Sequence, residues 1–213
     1  MGLDAYGEIV KKETPCPHQD VVKLVERVGT RIAAVARRPD FKWEFRTLES
    51  ATPNAFCLPG GKVAVYTALL PIAENEAALA AVVGHEVGHA VKRHGGQRGS
   101  QGMVTQAVGG LIAAATQGQG EQEQGLWQAG FGAGAQFGFL LPFSRDHELE
   151  ADDYGVMAMA RAGYDPEEAC HFWERFEKAG KGDKPPEFLS THPSDDHRIS
   201  QIKKLLPKAK QLY

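Results

Sequence analysis

No stretch of this 213-residue chain stays apolar for the roughly 20 residues a membrane helix needs. The nearest candidate, Val108 to Ala115, is short and interrupted by glycine. A soluble chain without a transmembrane segment is therefore expected. A signal-peptide pattern is also missing, because Met1-Gly2-Leu3-Asp4 leads straight into polar sequence. Cysteine is scarce: Cys16, Cys57 and Cys170 are too few and too scattered for a disulfide framework or a structural zinc site. One disulfide with a leftover thiol and three reduced thiols both stay open. Nor is there an excess of one charge. A net charge of −3 and a pI of about 6.2 exclude the global basic field expected of a nucleic-acid partner. Neither a Ser-His-Asp pattern nor an activated cysteine is evident, which argues against a covalent acyl intermediate.

What is present organises itself around Glu74 to His94, ENEAALAAVVGHEVGHAVKRH. Leu79, Ala80, Val82, Val83 and Val87 make this too apolar for a surface helix, so its ionisable side chains need partners or a metal. His85 and His89 are four apart and share one helix face, close enough to grip one ion. Glu86 lies beside that ion without having to bind it. This is the HExxH arrangement of zinc peptidases, in which the glutamate is general base to a metal-activated water.

Around this helix the pattern predicts one mostly helical α+β domain over residues 1–213, with a small sheet beside the HExxH helix. Val21, Leu24, Val25, Val28, Ile32 and Val35 recur at helical steps between His18 and Arg37. Phe41 to Arg46 alternates as a half-buried strand does. Lys62-Val63-Ala64-Val65-Tyr66 reads as a second strand; either its free edge pairs with an extended substrate or it is internal with no substrate role. Gly95 to Gly138 is crowded with Gly, Gln and Ala, consistent with two close-packed helices near 101–116 and 122–140. Between them Gln117 to Gln124 reads as a loop that could be a lid, a plug or a plain connection. Phe143 to Ala162 is helical up to Gly163, and Asp165-Pro166 opens another helix reaching about Ala179. Lys181 to Glu187 reads as a linker, and a final helix runs from about Ser194 to Leu206, closed by Pro207.

A catalytic zinc site needs a third protein ligand and an open fourth position. The metzincin pattern is excluded on spacing, since His94 comes one residue too early; it reads as a polar cap near the helix end. Glu148-Leu149-Glu150-Ala151-Asp152 offers the alternative. Glu148 and Asp152 share a face, so Glu148 could bind the metal while Asp152 accepts from the outer nitrogen of a liganding histidine. Glu150 points elsewhere, and His147 is a rival ligand. Gly88, lacking a side chain, leaves room for the two helices to approach.

HEVGH, then SRDHELEAD followed by GVMAMARAGYDP, then THPSDDHRI, resembles peptidase family M48, the HtpX-like and CAAX-protease-like zinc metallopeptidases. NAFCLPGGKVAVYTALL matches the segment before the metal helix in these proteins, so the likeness covers about residues 50–205. The resemblance implies a gluzincin with one Zn2+ held by His85, His89 and Glu148, Glu86 as base and Asp152 behind the ligands. It further implies that His192, in the HP position, reaches the metal or stabilises the transition state with help from Arg198; a plain turn histidine is the other reading. Without membrane spans the chain resembles the BepA-like branch. That implies an extracytoplasmic endopeptidase of misfolded or envelope proteins, in the bacterial periplasm or envelope. A chaperone-like client binder with a structural zinc, and a protease held latent by His192 or the Gly/Gln-rich segment, are the alternatives.

Overall fold

The computed structural model describes residues 11–116, 123–126, 129–131, 141–179, 192 and 196–213. These residues cluster into two compact units. One comprises Met1–Lys92 and Glu148–Tyr213, the other Arg93–His147.

In the first unit a four-stranded sheet is built from β1 (Thr14–Pro15), β2 (Glu44–Glu49), β3 (Ala55–Leu58) and β4 (Lys62–Tyr66), in the order β1-β2-β4-β3. β2 and β4 are parallel, with Glu44 opposite Lys62 and Leu48 opposite Tyr66; β1–β2 and β3–β4 are antiparallel. The turn from β3 to β4 needs glycine, because Gly60 and Gly61 have φ of 91° and 87°. β2 starts three residues later than the alternation from Phe41 suggests. Phe41 and Trp43 alternate because their rings pack together (centroids 5.1 Å apart) ahead of the ladder.

Lys62–Tyr66 does not offer the free edge that a substrate strand requires. β4 lies inside the sheet, paired with β2 on one side and β3 on the other, so its backbone groups are already committed. The edge on that side belongs to β3, which also packs against the HExxH helix. Sheet order is a long-range property, and strand periodicity does not encode it.

Helix α1 (Gln19–Val35) buries Val25, Val28 and Ile32, as its spacing predicts. After a short α2 (Leu70–Ala73), α3 (Glu76–Val91) is capped by Asn75, whose side chain accepts from the Ala78 amide at 2.8 Å. Every residue of α3 from Ala78 to Ala90 is buried. α3 stops short of His94. Arg93 takes a left-handed conformation (φ 61°), and His94 instead opens α4 (His94–Ala115) in the second unit. There His94 is buried and stacks on His147 at 4.0 Å, so it is a packed ring and not the polar cap of α3. Of the expected helix over 122–140, residues 123–126 and 129–131 are helical, while 117–122 and 132–140 lie outside the described residues.

α5 (Leu141–Arg161) carries the chain back into the first unit and ends at Gly163, whose φ of 74° supplies the left-handed turn. Asp165 accepts from the Glu167 amide to start α6 (Glu167–Ala179). The predicted linker at 181–187 lies outside the described residues. α7 (Asp196–Ala209) runs past Pro207 instead of stopping there. A proline this near a helix end costs one backbone bond without breaking the turn that follows, where the Lys210 amide donates to Leu206.

α3 and α5 touch backbone to backbone. A Cβ on Gly88 would meet the Ala151 carbonyl at 3.0 Å, as the sequence suggests, and two further glycines do the same. One on Gly84 would meet the Gly155 carbonyl at 3.0 Å, and one on Gly155 would sit 2.8 Å from the His85 nitrogen. Gly155→Val is therefore expected to destabilise by about 2–3 kcal/mol, read as a lower denaturation midpoint, since overpacking against backbone cannot be relieved by a rotamer change. An unchanged midpoint would show that the helices have room to spare.

Candidate metal centre

The close approach of α3 and α5 brings the chemistry together. α3 presents His85, Glu86 and His89, and one turn spacing on α5 puts Glu148 and Asp152 on the face turned toward it. His192 enters from the chain ahead of α7, and Arg198 comes from α7 itself. All seven residues are at most 6% exposed.

Four of them converge. His85, His89, Glu148 and His192 each offer a ligand atom, all within 4.8 Å of one another. His85 Nε2 stands 3.1 Å from His89 Nε2 and 3.3 Å from His192 Nδ1. Glu148 reaches His85 and His89 at 3.3 Å each and His192 at 3.1 Å. Zinc–nitrogen and zinc–carboxylate bonds of about 2.0–2.1 Å set a tetrahedral edge of about 3.4 Å, so these separations fit a small divalent ion. The chemistry of the donors fits too. Asp152 Oδ1 lies 2.8 Å from His85 Nδ1 and accepts its proton, which leaves Nε2 as the His85 atom turned toward the other donors. Buried imidazole nitrogens and a carboxylate converging on one point suit a cation there.

Behind the cluster Arg198 forks onto Asp152, with Nε 2.7 Å from Oδ2 and Nη2 2.7 Å from Oδ1, and Nη1 is 3.3 Å from Glu148 Oε2. Its donors face carboxylates, so the geometry favours holding Asp152 over the oxyanion contact the sequence suggests. Glu86 lies on the other side, its Oε1 3.4 Å from His192 Nε2.

The rival ligand His147 is outside this cluster, its ring engaged with His94. Glu150 faces away, half exposed and 3.9 Å from Lys92. The sequence gives no hint of Trp173 on α6, which lies under Arg198 with its ring 5.4 Å from His85. It reads there as one more apolar residue of an amphipathic helix.

Electrostatics separates the two α3 histidines. Burial alone would lower His85, but Asp152 and Glu148 together raise it to about 9. For His89 burial wins, pushing it down to about 3 despite Glu148. Burial would raise Glu148 and Asp152, yet the three histidines hold Glu148, and Arg198 with His85 holds Asp152, well below the carboxylate range. The three cysteines are free. Burial and Glu86 push the Cys57 thiol up, and burial pushes Cys170 up to about 11, so neither is a thiolate nucleophile near neutrality.

An HExxH helix completed by a glutamate four residues before an aspartate on a second helix, beside a small sheet, defines a zincin of the glutamate-ligand class. The chain belongs to peptidase family M48, whose profile matches residues 21–206. It is 40% identical over 214 residues to the mitochondrial metalloendopeptidase OMA1 of Schizosaccharomyces pombe, covering 98% of this chain and 61% of that protein. With OMA1 of Saccharomyces cerevisiae it shares 38% identity over 180 residues, 81% of this chain and 49% of that one. The beta-barrel assembly-enhancing protease of Escherichia coli is 28% identical over 208 residues, 94% of this chain and 42% of that protein. The chain thus spans less than two thirds of the length of these relatives.

Proposed function

We propose that this chain is a zinc-dependent endopeptidase that hydrolyses peptide bonds of protein substrates. The observation that carries this is the convergence of His85, His89 and Glu148 beside a buried Glu86 that is not one of the converging donors. A purely structural zinc, as in a client-binding chaperone, has no use for such a glutamate. When bound, zinc supplies Lewis acidity and lowers the pKa of solvent it contacts from 15.7 to about 7. His85, His89 and Glu148 would hold it, and Asp152, clamped by Arg198, would fix the tautomer of His85. Glu86 would accept a proton from the attacking water and pass it to the leaving amine. The outer edge of β3, not β4, would carry the extended substrate by main-chain pairing.

Metal uptake tests the ligand assignment. With His85 near 9, the chain without metal carries a proton there at pH 7, and coordination must expel it. Calorimetry in buffers of different ionisation enthalpy is expected to show about one proton released at pH 7. Zinc affinity should rise about tenfold per pH unit and level off above about pH 9. No proton release at pH 7 would refute His85 as the titrating ligand.

A second reading concerns His192. Four protein donors make a closed, structural-type set, whereas a working site keeps one position open. His192 Nδ1 completes such a set at 3.1–3.3 Å from Glu148, which supports a latent form that opens when His192 withdraws. His192→Ala is then expected to raise casein turnover several-fold; a fall would assign His192 to the transition state instead.

We propose misfolded or envelope proteins as clients and an extracytoplasmic location; that some relatives are named beta-barrel assembly-enhancing proteases supports clients of the β-barrel kind. The mitochondrial relatives support the same chemistry in an organelle. Expression with a fluorescent tag in the source cell would decide between these locations.

A further inference from the structure

We infer that Trp173 is a positioning residue of the metal centre, acting through Arg198 and His85. This rests on the metal reading above and extends it beyond the ligands and their immediate partners. Trp173 is 3% exposed and wedged in α6 between Phe172, at 5.2 Å and 73°, and Phe176, at 6.1 Å and 81°. Its indole therefore has one orientation. Over its face lies the Arg198 guanidinium, with Cζ 4.0 Å from the ring centroid. His85 meets the same indole at 5.4 Å and 70°, an edge-on contact.

These contacts close a circuit. Trp173 carries Arg198, Arg198 forks onto both oxygens of Asp152 at 2.7 Å, Asp152 accepts from His85 Nδ1 at 2.8 Å, and His85 returns to Trp173. Each member is at most 4% exposed, so solvent cannot substitute for a lost contact. Tryptophan suits the position because its face is the strongest partner for a cation and matches the planar guanidinium. Without that plate the guanidinium gains freedom, Asp152 loses its fixed direction, and the His85 ring loosens about its own bond to the metal. Direct hydrogen-bond partners of ligands typically change metal affinity 10–100-fold. Trp173 is one contact further out, so the effect belongs near the lower end of that range.

The test measures zinc affinity of the full chain by chelator competition, with denaturation midpoints alongside. Trp173→Met fills the volume with an adaptable apolar chain, and Trp173→Phe keeps an aromatic face. We expect about 10-fold weaker zinc binding for Trp173→Met and at most about 3-fold for Trp173→Phe. Wild-type affinity in Trp173→Met, or equal losses in both variants, overturns the inference, since a packing role does not distinguish a ring from a thioether. Should Trp173→Met fail to fold, Trp173→Phe combined with Arg198→Lys decides. A combined loss smaller than the product of the single losses supports the circuit, and a plain product overturns it. Wild type binding no zinc, or His85→Ala binding it equally well, would overturn the metal reading and this inference together; the outcomes above overturn this inference alone.

Discussion

Glu86→Gln is expected to leave about one zinc per chain in place while lowering casein hydrolysis by roughly 10²–10⁴-fold, the usual contribution of a positioned general base. The reasoning is geometric. Glu86 is next to His85 in sequence but outside the four converging donors, and its Oε1 lies 3.4 Å from His192 Nε2. Glutamine has the same shape and cannot take a proton, so binding and chemistry should separate cleanly. Proteolysis at the wild-type rate would refute the assignment of Glu86. Loss of zinc along with activity would instead make it a ligand.

Removal of Glu148 should have the larger structural consequence. Its carboxylate is 2% exposed and bridges His85, His89, His192 and Arg198. In Glu148→Ala those groups lose their shared acceptor without gaining water, and breaking a buried charge pair costs about 3–5 kcal/mol. Metal content measured beside wild type is expected to fall from about one per chain to near zero, with a markedly lower denaturation midpoint for the chain without metal. Equal zinc in both proteins would show that the third ligand comes from elsewhere. Glu148→Gln is the informative companion: it keeps the volume and an acceptor oxygen but removes the charge.

Much of this was legible because it is local. His85 and His89 share a face by helical spacing alone, and so do Glu148 and Asp152. The periodic apolar residues of α1 and the Gly163 stop of α5 needed no partner to be recognised. What escaped depends on elements remote in sequence. Nothing in Lys62–Tyr66 reveals that both its neighbours are strands, so β4 could be mistaken for the edge that β3 provides. Gly84 and Gly155 look like ordinary helix weaknesses until the two helices are brought together. Arg93 follows α3 in a left-handed turn with no glycine or proline at that residue, so His94 reads as a polar cap near the end of that helix instead of the start of the next. From the resemblance Arg198 reads as a helper of His192 at the transition state. Only with α5 and α6 around it do its carboxylate partners and the indole beneath it become visible.

The glycine contact between α3 and α5 bears on which ion the centre can accept. Because peptide backbone presses on peptide backbone there, the distance from His85 and His89 to Glu148 is set by main-chain geometry, with little side-chain give. Calcium, which wants six to eight oxygens at 2.3–2.6 Å, would have to pry the helices apart and still find too few oxygens. Ions of zinc's radius that tolerate nitrogen donors fit without that expansion. Selectivity among metals would thus trace to three small residues, Gly84, Gly88 and Gly155, none of them among the converging donors.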